Sequence, residues 1–72
     1  MQVRLIGIRK MHNETQSSLA RLIGRDLRTY QNKETGKTQF TANEMFIIAK
    51  HYGRAIDDIF LPSNFMKREI EE

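Results

Sequence analysis

The sequence contains no cysteine and no tryptophan, and it has only one proline and two histidines among 72 residues. Without cysteine the chain forms neither a disulfide framework nor a thiolate metal site, and two histidines alone do not complete an ordinary zinc shell. No apolar run is long enough to span a bilayer, and no secretory signal segment is visible. We therefore expect a cytoplasmic protein without a metal or a cofactor.

Size and charge narrow the possible functions further. The chain of 8.5 kDa is expected to form one domain with a small core. Its net charge is +3 and its pI about 9.6, and the positive charge is concentrated in residues 21–37. A basic segment of this kind favours a polyanionic partner, and a solvated helical face is the alternative. The basic residues of the segment are Arg21, Arg25, Arg28, Lys33 and Lys37.

Apolar spacing and turn residues predict five short helices and no strand, which is an all-α fold. The first predicted helix covers residues 2–11, and the second lies between an N-cap at Thr15 and a stop at Gly24. The inward positions of these two helices are Val3, Leu5, Ile6, Ile8, Met11, Leu19, Leu22 and Ile23.

Capping signals define the remaining helices. Asp26 is a predicted N-cap for a third helix that runs from Leu27 to about Lys33. Thr41 and Glu44 predict a capping box, with Phe40 and Met45 as a hydrophobic staple, for a fourth helix that ends at Gly53. A fifth helix is expected to begin near Asp57. The predicted core residues of this half are Met45, Phe46, Ile48, Ala49, Tyr52, Ile59 and Phe60.

The second and third predicted helices meet across a short turn at Gly24, which is the sequence form of a helix-turn-helix. Such a unit needs side chains at positions i, i+1, i+4 and i+5 of its second helix to reach base edges in a major groove. Arginine can bond guanine, asparagine or glutamine can bond adenine, and an apolar side chain can meet the thymine methyl. The residues at these positions are Leu27, Arg28, Gln31 and Asn32.

One run of residues resembles a known family. The segment Thr15-Gln16-Ser17-Ser18-Leu19-Ala20, followed by Gly24, Thr29-Tyr30 and Glu34-Thr35-Gly36-Lys37, resembles the Cro/phage-repressor helix-turn-helix family, also called the XRE family. The resemblance covers residues 3–61. It implies a five-helix lambda-repressor-like DNA-binding domain in residues 1–61 and leaves residues 62–72 as a C-terminal tail.

The resemblance also implies roles for individual residues. It places Leu27, Arg28 and Asn32 at base edges. It places Gln16 on a phosphate, where this residue also braces the first side chain that reads a base. The loop of Lys37, Thr38 and Gln39 is expected to lie on phosphates. It pairs Arg9 with Glu34, which ties the first helix to the recognition helix. We expect Arg21 and Arg25 to add phosphate contacts.

Two positions depart from the family pattern: Arg25 replaces a small β-branched residue, and Leu27 replaces a polar one. If Leu27 packs inward, the base-reading set shrinks to Arg28, Gln31 and Asn32.

Together these features favour a sequence-specific DNA-binding transcriptional regulator that is not an enzyme. It would be most like a small phage or prophage Cro-type repressor that binds a palindromic operator as a homodimer, in the bacterial cytoplasm at the nucleoid. The alternative is an antitoxin-like or other protein-interaction module on the same fold. The apolar candidates for the dimer surface are Ile59, Leu61, Phe65 and Ile70.

Overall fold

The computed structural model describes residues 1–60, and within this range the chain forms five α-helices and no strand. Among these residues, none of the helices combines the length and apolar composition that crossing a bilayer requires. The boundary expected at residue 61 lies outside the described residues. The helices are α1 (Val3–Met11), α2 (Gln16–Leu22), α3 (Leu27–Thr35), α4 (Ala42–Tyr52) and α5 (Ile56–Ile59).

Threonines begin two of the helices. The Thr15 hydroxyl accepts a hydrogen bond from the Ser18 backbone N–H at 3.1 Å, so the predicted N-cap of α2 is present. Thr41 and Glu44 form the predicted capping box at α4, with reciprocal bonds of 2.9 and 3.1 Å. Each bond satisfies a backbone N–H group that the start of a helix leaves without an internal partner.

The starts predicted for α3 and α5 differ in detail from the structure. Asp26 occupies the N-cap position of α3, but its side chain makes no capping bond and instead accepts the hydroxyl of Thr29. The last helix begins at Ile56, with Ala55 as its N-cap, one residue before the expected start. Extended backbone at Asp26 and Ala55 sets both starts without help from a side-chain cap.

Left-handed glycines end α2 and α3. Gly24 has φ +73 and Gly36 has φ +95, a region in which a side chain is strained. After Gly24 the chain turns back, and the Arg25 N–H donates to the Ala20 carbonyl at 2.9 Å. After Gly36 the Lys37 N–H donates in the same way to the Asn32 carbonyl at 2.9 Å. These bonds satisfy the last carbonyls of each helix, as the predicted stop at Gly24 requires.

All five helices and the segment before α4 contribute to the core. Three rings run through it: Phe40 lies with its ring centroid 5.9 Å from Tyr30 and 5.1 Å from Phe60, edge to face in both pairs. This geometry is favourable for aromatic pairs beyond the area they bury. The buried apolar residues are Leu5, Ile8, Leu19, Ala20, Ile23, Tyr30, Phe40, Ile48, Ala49, Ile59 and Phe60.

Several residues predicted to face inward are exposed instead. Val3 and Met11 are the first and last residues of α1, and Leu22 is the last of α2. Side chains at the ends of short helices have packing neighbours on one side only, which is why the apolar spacing overestimates the core there. Phe46, in the middle of α4, is 58% exposed.

Ile59 was predicted both in the core and at a dimer surface, and the structure confirms the first of these two predictions. It was expected at a dimer surface, but its exposure is 0% because α5 packs on α1 and α4 and places this side chain in the core. Ile59 is therefore unavailable to a partner. The other candidates for that surface, Leu61, Phe65 and Ile70, lie outside the described residues.

A buried ion pair joins α1 to α3. The Arg9 guanidinium donates from Nε to Glu34 Oε2 at 2.9 Å and from Nη2 to Glu34 Oε1 at 3.3 Å. The Tyr30 hydroxyl donates to the same Oε2 at 2.7 Å. Burial alone would raise the pKa of the Glu34 carboxyl, but the hydrogen bonds from Arg9, Gln16 and Tyr30 outweigh it and lower the pKa below its ordinary value.

We predict that Arg9 and Glu34 depend on each other for stability. Arg9→Met or Glu34→Gln should each cost about 3–5 kcal/mol, since either change leaves a buried polar group without its partner. The double variant should cost less than the sum of the two. Urea unfolding of all four proteins measures the coupling.

Lys10→Met is the matched control for this cycle. Lys10 follows Arg9 on α1 but is exposed, so its substitution should change the free energy of unfolding by no more than about 0.5 kcal/mol. Plain additivity of the Arg9 and Glu34 effects would contradict the predicted dependence.

Candidate nucleic-acid interface

The helix α3 has two different faces. Tyr30, Lys33 and Glu34 are buried, whereas Leu27 and Arg28 are exposed and Gln31 and Asn32 are partly exposed. α3 packs on α2 across the four-residue turn 23–26, which contains the left-handed Gly24. The four positions i, i+1, i+4 and i+5 that were predicted from the sequence therefore share the outward face of α3.

Leu27 and Arg28 stand at the start of this face. Leu27 is 40% exposed and so does not pack inward, which leaves the predicted set of four outward residues complete. Among residues 1–60, the Arg28 side chain has no hydrogen-bond or ion-pair partner. Its guanidinium therefore keeps all five N–H donors for an external acceptor.

Gln31 is held in place by a chain of amide bonds. Its Nε2 donates to Gln16 Oε1 at 3.0 Å, and Gln16 Nε2 donates to Glu34 Oε1 at 2.7 Å. Because Gln16 opens α2, this chain links the first residue of one helix to the outward face of the next. Gln16 thus braces Gln31, a side chain of the outward face.

The loop of Lys37, Thr38 and Gln39 is fixed to the end of α3. The Asn32 carbonyl accepts from the backbone N–H groups of Lys37 at 2.9 Å and Thr38 at 3.2 Å. The Gln39 carbonyl accepts from Lys33 Nζ at 3.1 Å. All three loop side chains are exposed, so the loop presents a cation, a hydroxyl and an amide beside the outward face of α3.

The Glu44 carboxylate binds two of the cations that the sequence assigned to the basic segment. Its Oε1 lies 2.9 Å from Lys33 Nζ, and its Oε2 accepts from Arg25 Nε at 2.7 Å. The sequence analysis counted Lys33 in the basic segment, but this side chain is buried and does not contribute to a basic surface. The Arg25 side chain is 47% exposed, and its other N–H donors have no partner within residues 1–60.

These pairings leave three cations of residues 21–37 without an intramolecular partner in the described part of the chain. Arg21, Arg28 and Lys37 are all exposed. They belong to the end of α2, the start of α3 and the loop after α3. The positive charge available to a ligand is therefore distributed around α3. Arg25 and Lys33, in contrast, bind Glu44 and serve mainly to position α3.

Lys33 and Glu44 are positioning residues that the sequence analysis missed. Lys33 lies three residues after Tyr30 and directly before Glu34, so helical spacing placed it on the buried face. Glu44 was recognised as the capping residue of α4, but nothing in the sequence indicated that its carboxylate also binds Arg25 and Lys33. Helical spacing was therefore sufficient to predict that Lys33 faces inward, but it did not identify Glu44 as its partner.

His51 contacts a carboxylate that also binds the neighbouring tyrosine. His51 Nε2 lies 2.9 Å from Glu14 Oε2, and the Tyr52 hydroxyl donates to Glu14 Oε1 at 2.6 Å. The Tyr52 hydrogen bond is the main reason that the pKa of the Glu14 carboxyl is lowered. Residues 1–60 contain no group of three side chains placed to hold a metal ion. These contacts join the segment between α1 and α2 to the end of α4.

We predict that Glu44 makes the stability of the protein sensitive to acid. Burial alone would raise the pKa of its carboxyl, but bonds from Lys33, the Thr41 backbone and Arg25 lower it from 4.5 to about 2. The ionised form is thus favoured in the folded state. The Glu44 carboxylate therefore contributes on the order of 3 kcal/mol to the free energy of unfolding above about pH 4.5, and this contribution is lost as the pH falls towards 2.

The test compares Glu44→Gln with the unchanged chain by urea unfolding between pH 7 and pH 2. The variant should be less stable at pH 7, and the difference should shrink as the pH falls below about 4.5, because the parent loses its carboxylate there. Asn43→Ala, an exposed change beside it, should show a difference that does not depend on pH. A constant gap between Glu44→Gln and the parent down to pH 2 would refute the prediction.

Comparisons with known proteins add no further information about this surface. Models of known protein families, curated protein sequences and solved structures were compared with the chain, and none of them matches it. The chemistry of the α3 face therefore rests on the side chains described above: an exposed arginine, a braced glutamine, an asparagine, and cations on both sides.

Proposed function

We propose that this protein is a sequence-specific DNA-binding transcriptional regulator that inserts α3 into the major groove of its operator. The outward face of α3 carries the proposal, because it brings Leu27, Arg28, Gln31 and Asn32 together on one side of a helix that is fixed on its other side. In this proposal α2, the turn and α3 act as a helix-turn-helix within a lambda-repressor-like domain of the Cro-type family.

The chemistry of these four side chains suits base edges. Arg28 can donate two bonds to the O6 and N7 of guanine, and Asn32 can bond the N6 and N7 of adenine. Gln31 uses one N–H for Gln16, so it keeps its carbonyl oxygen and a second N–H for a base. Leu27 can contact a thymine methyl group.

The surrounding groups suit the phosphate backbone. Arg21 and Lys37 are exposed cations without an intramolecular partner among residues 1–60, and Arg25 keeps exposed donors beside its bond to Glu44. The loop of Lys37, Thr38 and Gln39 adds polar groups at the end of α3, and Gln16 lies at the start of α2. Contacts of this kind orient a protein on a duplex without reading its sequence.

The proposal includes a homodimer on a palindromic operator. One recognition helix reads only a few base pairs, and two copies related by a two-fold axis would read half-sites about 34 Å apart. Repression in the manner of a phage Cro protein is the form of regulation that we propose.

We predict that affinity for the operator depends strongly on salt. A dimer that neutralises roughly 6–10 phosphates should lose about 10³–10⁵ in affinity between 50 and 200 mM salt. Selection from random duplexes supplies the operator, and fluorescence anisotropy at several salt concentrations measures the slope. Near-constant affinity across that range would exclude DNA as the main ligand. Absence of any duplex binding, together with a protein that co-purifies, would favour an antitoxin-like interaction module instead.

We also predict that Arg28 and Lys37 affect binding in different ways. Arg28→Ala should cost about 1–3 kcal/mol and relax the preference at one base pair in each half-site, because its role is to read a base. Lys37→Ala should weaken binding to all sequences alike and reduce the salt slope by about one for each lost phosphate contact. Both variants are measured on the selected operator and on each single-base variant of it.

Lys10→Ala is the control for the loss of a positive charge. Lys10 is exposed on α1, outside the proposed interface, so its removal should change neither the base preference nor the affinity by more than about twofold. An equal loss of affinity for every operator variant in Arg28→Ala would make Arg28 a phosphate contact and refute its assignment to a base.

A further inference from the structure

An apolar groove lies where α4 meets α5, on elements that the proposed DNA interface does not use. Its volume is about 560 Å³. Phe46 and Ala49 of α4 and Ile56 of α5 form its apolar lining, and polar or small residues complete it. The remaining lining residues are Lys50, Arg54, Ala55 and Asp57.

Phe46 is the residue of this groove that the fold of residues 1–60 does not explain. It is 58% exposed, whereas Phe40 and Phe60, the other phenylalanines in the described range, are buried in the core. A large aromatic side chain beside further apolar lining is a typical feature of a surface that is covered by another segment. The apolar lining thus suits an occupant with apolar side chains.

Positive charge restricts what that occupant can be. Lys50 and Arg54 line the groove, and both are exposed without an intramolecular partner in the part of the chain that the structure describes. Asp57 is the one acidic residue of the lining. A segment that combines apolar side chains with acidic ones fits these surroundings better than a neutral or a basic segment.

We propose that residues 65–70 of this same chain occupy the groove, with Phe65, Met66 and Ile70 on its apolar lining and Glu69 beside Lys50 and Arg54. The inference does not depend on the proposed DNA binding. It assigns a role within the chain to Phe65 and Ile70, which the sequence analysis had placed at a dimer surface.

The sequence of residues 65–72 has the composition that the groove requires. At 100° per residue, Phe65, Glu69, Met66 and Ile70 fall within an arc of about 140°, so a helix would present them on one side. Lys67 and Glu71 fall outside that arc. The single acidic residue on the apolar side, Glu69, is therefore the one that meets the cations of the groove.

The linking residues are long enough to reach the groove. α5 has four residues and so is only about 6 Å long, and the chain leaves it at Phe60. Residues 61–64 span at most about 13 Å when extended, which covers the return along α5. They include Pro62, Ser63 and Asn64, residue types that favour a reversal of the chain.

The groove suits a tethered segment better than a second copy of the chain. Seven residues line it, whereas a stable interface between two proteins involves about 20–30 residues on each side. A short tether gives the segment an effective concentration in the millimolar range, so a small contact area is sufficient to keep it bound.

Paramagnetic broadening in the full chain tests the proposal. The chain has no native cysteine, so Glu71→Cys carries a single nitroxide label on the side of the segment away from the groove. Outside the segment itself, we expect the strongest broadening at the amides of Phe46, Lys50 and Ile56. Reduction of the nitroxide should restore these signals. If the strongest broadening falls elsewhere, or nowhere in residues 1–60, the proposal is wrong.

Two further samples test whether the groove is occupied by the same chain or by a second copy, and whether Phe65 and Ile70 are responsible for the broadening. In a mixture of spin-labelled chains and separate ¹⁵N-labelled chains, the groove amides should stay sharp; broadening there would assign the groove to a second copy and overturn the proposal. Phe65→Ser with Ile70→Ser, in the labelled chain, should abolish the broadening, and the matched control Lys67→Ala should retain it. Broadening that persists without Phe65 and Ile70 would also overturn it.

Discussion

The buried carboxylate of Glu34 is the group on which the arrangement of the first three helices depends. It belongs to α3 and accepts hydrogen bonds from Arg9 of α1, Gln16 of α2 and Tyr30 of α3 itself. Removing a carboxylate from water costs several kcal/mol, so it is tolerated only when its oxygens are fully bonded. Within residues 1–60, every buried side-chain nitrogen and oxygen has such a partner. Because three helices must meet at one carboxylate, their relative positions are fixed.

Glu44 applies the same constraint to α3 through Lys33, the residue directly before Glu34. Its carboxylate caps α4 through the Thr41 backbone and binds Lys33, whose ammonium also holds the Gln39 carbonyl. α3 is therefore tied to α1 and α2 by one carboxylate and to α4 and the loop after α3 by another. A helix fixed in this way presents its outward side chains in one orientation, which is the condition for a site that reads a ligand by geometry.

The two carboxylates also decide which cations remain for a ligand. Arg9 and Lys33 are buried in ion pairs, and Arg25 is partly engaged. The unpaired positive charge around α3 is consequently smaller than the composition indicates. It is concentrated on Arg21, Arg28 and Lys37, which are exposed on α2, on α3 and in the loop after α3. Net charge alone describes long-range attraction to a polyanion; the distribution of paired and unpaired cations determines where that attraction acts.

The sequence by itself determined the helices and much of the site. Spacing and capping residues predicted five helices, the Thr15 cap, the Thr41–Glu44 capping box and the stop at Gly24, because these depend on groups within a few residues of one another. The outward set on α3 followed for the same reason. Tertiary structure alone decided that Lys33 and Arg25 bind Glu44 and that Phe46 is exposed. Those outcomes depend on residues far apart in the chain, whose distances are set only when the helices pack.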